Sequence, residues 1–301
     1  MTPGPRPAFD LQSHSLHSDG ALAPTEVVSR AAQAGVTLLA LTDHDSVDGV
    51  DEALGEATRH AITVVPAAEI SAVDDDAEDL HILGYGFDHH DPALQAALED
   101  FREDRTRRAQ AMIERLEELG LHVDRSAIAV RGAEGKAIGR PHIAAAIHRH
   151  PGNAERLKLE GLTADPSQLL VAYLIPGAPA YVRRSRPTVA EAIALIHAAG
   201  GVAVWAHPFW DIEEPEQVRK TLARFANEAG LDGVEAFYAT HTREQTLLLA
   251  AQADELKLLT TGSADFHGPD HKLFSIFRAF DTHGREPNLG PIADGAARRD
   301  G

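Results

Sequence analysis

"PTEVVSRAAQAGVTLLALTDHD", residues 24–45, runs from a helix through a glycine into a strand and stops at three polar residues. Pro24 and Thr25 open a segment whose apolar residues fall at helical spacing, and Gly35 closes it. "VTLLALT" is then a short apolar run, long enough for a buried strand and too short for a helix. Asp43, His44 and Asp45 follow where that strand ends. A helix followed by a strand, with polar side chains at the strand's C-terminal end, is the repeating pattern of parallel α/β architecture.

The same alternation extends in both directions. "FDLQSHS" before it reads as a strand running into a loop. After it, "VDGVDEALGEATRHA" is helical, "ITVVPAAEIS" is a strand ending at Glu69, and "DLHILGYGF" is a further strand carrying His81. The period then changes, and residues 91–171 read as mostly helical. Alternation returns with "TVAEAIALIHAAGG", "VAVWAHP", a helix over 214–230, "LDGVEAFYATH", a helix near 243–255 and "LKLLTTGSADFHG". The pattern predicts a βα barrel formed by residues 1–90 and 172–301, interrupted by a helical insertion at 91–171. The tail "ADGAARRDG" is expected to fray.

Composition narrows the chemistry. With 28 basic against 46 acidic residues the formal charge is −18, which repels the backbone of long nucleic acids. Cysteine is absent, so any metal must be held by imidazole and carboxylate groups, and the composition fits a reducing cytoplasm. "MTPGPRPAF" lacks the apolar run of a signal peptide, and no stretch approaches the roughly twenty apolar residues of a membrane span. A soluble, cytoplasmic protein is expected, with no membrane partner.

The candidate ligands track the strand ends. His14 and Asp19 follow the first strand, His44 the second, Glu69 the third, and His81 lies in the fourth. His207, Asp265 and His267 follow later strands. Taken singly, each of these reads as an ordinary hydrogen-bonded loop or core residue; eight at the ends of strands of one barrel do not. Such a mixed set suits zinc, manganese or iron, and it exceeds what one ion needs, so two or three divalent ions are implied. A carboxylate such as Glu69 can bridge ions about 3.5–4 Å apart.

Taken in order, "DLQSHSLHSDG", "LTDHD", "AAEIS", "LHILGYG", "AHP" and "GSADFHG" resemble the polymerase and histidinol phosphatase (PHP) superfamily of metal-dependent phosphoesterases. "IGRPHIA" followed by "YLIPGAPAYV" is similar to its members that act on AMP or nucleoside 3',5'-bisphosphates, some of which trim short RNA from the 5' end. The resemblance implies a distorted (β/α)7 barrel with a helical insertion, and water activated by the ions in place of a side-chain nucleophile. It assigns one ion to the motif-one histidines, Glu69 and Asp265, a second to Glu69, His81 and His207, and a third to Asp19, His44 and His267. The family pattern begins His-x-His, and here Gln12 stands before His14, so the first site lacks one imidazole. His17 is a neighbour with different spacing.

Arg140 and His142 are the expected contacts to a substrate phosphate, because guanidinium matches phosphate oxygens in bidentate fashion. Arg183 and Arg184 are weaker candidates, and His241 is a third possible contact at its strand end. A small phosphorylated substrate follows, with a nucleotide preferred. The alternatives are histidinol phosphate, a short 5'-phosphorylated RNA, or a barrel that binds without catalysis.

Overall fold

The structure, a computed structural model, describes residues 7–74, 80–133, 138–184 and 186–295; the end of the tail expected to fray, 296–301, lies outside the described residues. The chain divides into two units, Met1–Glu99 with Arg186–Gly301, and Asp100–Ser185.

In the first unit seven strands lie side by side in sequence order: β1 (Phe9–Asp10), β2 (Leu38–Leu41), β3 (Thr63–Ala72), β4 (Leu80–Tyr85), β5 (Val202–Trp205), β6 (Gly233–Tyr238) and β7 (Leu259–Ser263). The two edges meet. Leu11 N–H donates to the Gly262 carbonyl at 3.2 Å, His14 N–H donates to that of Phe266 at 2.8 Å, and Ser13 bridges Phe266 in parallel. The sheet is nearly closed into a barrel.

One strand departs from uniform βα alternation. β4 pairs antiparallel with both β3 and β5, while the other pairings are parallel. Residues 73–79 are too few for the crossover of a dozen or more residues that a parallel return requires. The third strand also outruns its expected end at Glu69. Its pairing with β4 continues through Ser71 opposite His81 and Ala72 opposite Leu80, so backbone partners are available beyond Glu69.

Burial follows the two-residue period of the strands. On β2, Leu38 and Ala40 pack with Leu11, Val65, Leu83 and Val204 inside the barrel, while Leu39 and Leu41 pack outward against Val27, Val28 and Ala31. Those three belong to α1 (Pro24–Gln33), the helix expected from the opening stretch, and α2 (Val50–Ala57) adds Ala53 and Ala57 to the same layer. Each fully buried aliphatic side chain of this kind is worth about 1.5–3 kcal/mol over exposure. This is why β2 reads as a continuous apolar run: both faces are covered.

The second unit is helical: α3 (Pro92–Glu118) begins in the first unit and continues into the second, where α4 (Arg125–Ala133), α5 (Arg140–Arg149), α6 (Ala154–Glu160) and α7 (Pro166–Leu169) follow. Its own core joins Met112, Ile113 and Leu116 to Ile143, Ile147, Leu169, Tyr173, Leu174 and Ala180. The last three residues lie beyond 171, so the helical unit extends further than the expected insertion. In the first unit the remaining helices are α8 (Val189–Ala198), α9 (Pro208–Asp211), α10 (Pro215–Arg224) and α11 (Arg243–Leu256). Thr188–Glu191 and Thr242–Gln245 form capping boxes that start α8 and α11. No helix among the described residues is long and apolar enough to cross a membrane.

Candidate metal centre

The strand ends deliver the expected ligands to one face. His14 follows β1, His44 follows β2, His207 follows β5, and Asp265 and His267 follow β7, while Glu69 lies inside β3. His81 is the second residue of β4. Because β4 runs backward, its first residues sit where the parallel strands finish, and His81 reaches the same face as the others.

Local hydrogen bonds hold the loops. Asp43 accepts from Ser15 N–H at 2.8 Å, from Ser15 Oγ at 2.6 Å and from Ser18 Oγ at 2.6 Å, tying the loop that carries His14 and Asp19 to the end of β2. Gly20 closes that loop where a Cβ would lie 2.2 Å from the His14 carbonyl oxygen. Three residues here adopt positive φ without being glycine: Asp45 at 51°, His207 at 27° and Asp265 at 53°. Strain of about 1–3 kcal/mol per residue is typical of such positions, and it concentrates at functional sites.

Glu69, buried, stands at the middle of the cluster, with its two carboxylate oxygens facing different partners. Oε1 is 2.7 Å from His81 Nδ1 and 3.2 Å from His207 Nε2. Oε2 is 3.1 Å from His14 Nε2, 2.8 Å from Gln12 Nε2 and 3.9 Å from His44 Nδ1. His14 Nε2 is also 3.1 Å from Asp265 Oδ1. Asp19 forms the outer corner, 3.6 Å from His44 Nε2 and 3.5 Å from His267 Nε2. The triads Glu69–His81–His207, His14–His44–Glu69 and His14–Asp19–His267 each place three donor atoms within 4.8 Å of one another.

These groups fit divalent ions. His14 Nε2, His44 Nδ1, His207 Nδ1 and Asp265 Oδ1 are buried without a hydrogen-bond partner, a costly state for a polar atom in a dry interior. His14 Nε2 illustrates the point: two carboxylate oxygens lie 3.1 Å away, yet neither is aligned for a hydrogen bond. Converging buried donor atoms of this kind are what a cation satisfies. Protons compete with a cation for the same donor atoms. Burial disfavours a charged His207, but Glu69 beside it prevails and lifts its pKa to about 9. Burial likewise opposes protonation of His14, and Asp265 and Glu69 overcome it. His44 goes the other way, driven down to about 4 by burial. Burial of its own carboxylate would raise the Glu69 pKa, but the surrounding imidazoles prevail and hold it well below the usual carboxylate range.

Gln12 faces the centre as its spacing from His14 implies, but its amide nitrogen donates to Glu69, and Ser263 Oγ lies 3.3 Å from its carbonyl oxygen. His241 is packed against Tyr238 and Phe209 at 5.3 and 5.5 Å between ring centroids, its Nε2 without a partner and its pKa pushed down to about 4 by burial. His17 is partly buried, its N–H donating to Ser15 Oγ at 3.2 Å. Arg140, His142, Arg183 and Arg184 belong to the helical unit; Arg140 opens α5, and His142 Nδ1 accepts from Gly139 N–H at 3.0 Å.

A cavity of about 140 Å³ opens over the centre. Seven of the eight expected ligands line it, all but Asp19, together with Trp210, Tyr238 and Phe274. Sequence reasoning passed over those three aromatics and two buried acids. Tyr238 donates to Asp265 Oδ2 at 2.7 Å, orienting that carboxylate. Glu235 accepts from His207 N–H at 2.9 Å and from Ser263 Oγ at 2.6 Å, and burial pushes its pKa up to about 8. An acid inside the apolar run "VEAF" was the available signal for Glu235, and the acids flanking His44 in "DHD" were the signal for Asp43.

The sequence pattern of the PHP domain matches residues 10–138. The chain is similar to a 3',5'-nucleoside bisphosphate phosphatase of Chromobacterium violaceum, 36% identical across 87% of each chain. It is also similar to a 5'-3' exoribonuclease of Haemophilus influenzae, 35% identical across 87% of this chain and 90% of the relative. Among solved structures, one described as a metal-dependent phosphoesterase from Bifidobacterium adolescentis superposes with a TM-score of 0.72 at 29% identity, over 89% of this chain and 91% of that one.

Proposed function

The chain belongs to the PHP domain family of metal-dependent phosphoesterases, and we propose that the ester it cleaves is the phosphomonoester of a small nucleotide, AMP or a nucleoside 3',5'-bisphosphate. The observation that carries this reading is the division of Glu69 between two groups of imidazoles beneath a cavity of about 140 Å³. The side chains around Glu69 would hold two or three divalent ions of manganese, iron or zinc, which would supply activated water and positive charge against the phosphate oxygens.

The chain's own residues set the geometry for that chemistry. Glu69 and Asp265 provide anionic oxygens, with Asp265 oriented by Tyr238. Asp43 fixes the loop of His14 and Asp19, and Glu235 fixes the His207 backbone. His14, Asp19, His44, Glu69, His81, His207, Asp265 and His267 are the proposed ligand set. Arg140, His142 and His241 are proposed as contacts to substrate phosphate, the first two from "IGRPHIA", whose guanidinium suits phosphate oxygens, and His241 from its place after β6. A charge of −18 favours a short substrate over a long nucleic acid, and the absence of cysteine fits a cytoplasmic location.

A second reading, removal of 5' nucleotides from short RNA, is favoured by the likeness to the Haemophilus exoribonuclease. Phosphate release and nucleotide release, measured on AMP, a 3',5'-bisphosphate, histidinol phosphate and a short 5'-phosphorylated RNA, separate the two. Inorganic phosphate from AMP or the bisphosphate supports the first reading; mononucleotides from RNA with no phosphate from AMP or the bisphosphate support the second.

A further inference from the structure

The metal centre accounts for a phosphate and leaves the rest of the substrate without a seat. A cavity of about 140 Å³ is well short of the roughly 300–1,000 Å³ of a site that encloses a whole small molecule. If the phosphate enters it, the nucleoside must lie at its mouth.

An aromatic surface stands there. Of the two tryptophans, Trp205 is fully buried, whereas Trp210 is 51% exposed and lines the cavity. Half-exposure is unusual for so large an apolar ring. Phe274, which also lines the cavity, lies 5.7 Å from the Trp210 ring, tilted by 55°, and is itself only 6% exposed. Phe274 is held in turn by His271, stacked at 5.1 Å with 13° between the planes.

Both rings are tied to the metal centre through the backbone. Trp210 N–H donates to the His207 carbonyl at 2.8 Å, within the short turn that follows that ligand. The Phe274 carbonyl accepts from His267 N–H at 2.9 Å. The aromatic surface therefore has a set position relative to two proposed ligands, as a subsite for the remainder of one substrate requires. Neither ring carries a metal-binding group.

We infer that Trp210, braced by Phe274, is the platform on which the nucleobase of the substrate stacks while its phosphate occupies the cavity over Glu69. The inference rests on the nucleotide reading above and makes Trp210 a specificity residue. Every base has a π face, so the platform selects for a base over no base and discriminates little between adenine and the others.

The test compares AMP with ribose 5-phosphate, which presents the same ester without a base. In the zinc-reconstituted protein, Trp210→Ala is expected to raise the ratio of KM for AMP to KM for ribose 5-phosphate about tenfold, with metal content retained, and Trp210→Phe to restore most of it. Titration with the methylenephosphonate analogue of AMP is expected to quench tryptophan emission saturably in the wild type and not in Trp210→Ala. A ratio that stays put, or KM values that rise together for both substrates, overturns the inference. If the wild-type protein releases phosphate from neither substrate, the phosphatase reading fails by itself, and emission decides the platform: quenching by the adenosine phosphonate but not by its base-free counterpart sustains it, and no quenching overturns it.

Discussion

Gln12 and Glu69 are joined by a 2.8 Å hydrogen bond, the Gln12 amide donating to the carboxylate oxygen that also faces His14 Nε2 at 3.1 Å. The position at which the family pattern has an imidazole thus engages the shared carboxylate here through a neutral amide. Gln12→His is expected to tighten binding of one ion and leave the others nearly unchanged, since imidazole is the stronger donor toward zinc or iron. Competition titration against a chelator reads this directly, and an unchanged affinity for every ion would mean that position 12 does not contribute to the centre.

His44→Ala and His267→Ala each remove a side chain facing Asp19. Loss of a residue that merely orients a ligand typically costs 10–100-fold, so removal of a ligand is expected to lower phosphate release by about a hundredfold or more. Circular dichroism should remain close to wild type, because neither side chain belongs to the apolar core. Wild-type turnover in either variant would place that residue outside the reaction.

Asp43→Ala strips three hydrogen bonds from the loop of His14 and Asp19. Buried polar groups left without partners cost about 1–3 kcal/mol each. At roughly 2–4 °C per kcal/mol for a unit of this size, a melting temperature lower by several degrees is expected, together with weaker metal binding. A variant as stable as wild type, with unchanged affinity, would show that the Asp43 bonds are dispensable.

The ion-free protein should lose stability as pH rises. Burial lifts Asp10 to about 7 and Glu235 to about 8, and Glu69 lifts His207 to about 9 against the opposing effect of burial. Each of these folded-state values lies above its unfolded one, so each contribution is lost as pH climbs through the folded value; His44 and His241, driven down to about 4, act in the opposite sense and are outweighed by the three upward shifts. In excess chelator the melting temperature is therefore expected to be lower at pH 9 than at pH 5.5. With zinc or manganese present the alkaline loss should shrink, since ions bind deprotonated imidazole and replace the protons that His14 and His207 otherwise hold. A chelated protein equally stable at both pH values would contradict this assignment.

The gathering of these side chains on one face was legible because histidines and carboxylates at strand ends have few structural reasons to recur there. The direction of β4 was not: "DLHILGYG" shows a strand's composition, and composition carries no polarity. It was the shortness of residues 73–79 that dictated the reversal. Glu235 and Tyr238 were hidden within a strand buried throughout, where each passes for part of an apolar run until its partners in space, His207 N–H and Asp265, are known. The far edge of the helical unit was hidden for a similar reason. The sequence pattern assigns Tyr173, Leu174 and Ala180 to the barrel, and only their packing with Ile143 and Ile147 puts them in the helical core.

The measurement that bears most directly on a shared-carboxylate metal centre is elemental analysis of protein reconstituted in turn with manganese, iron and zinc, read beside phosphate release from AMP. At least two ions per chain are expected in the wild type, fewer in Glu69→Ala, with phosphate release rising on loading and vanishing on chelation. Well under one ion per chain with every metal, or phosphate release indifferent to chelation, would contradict it.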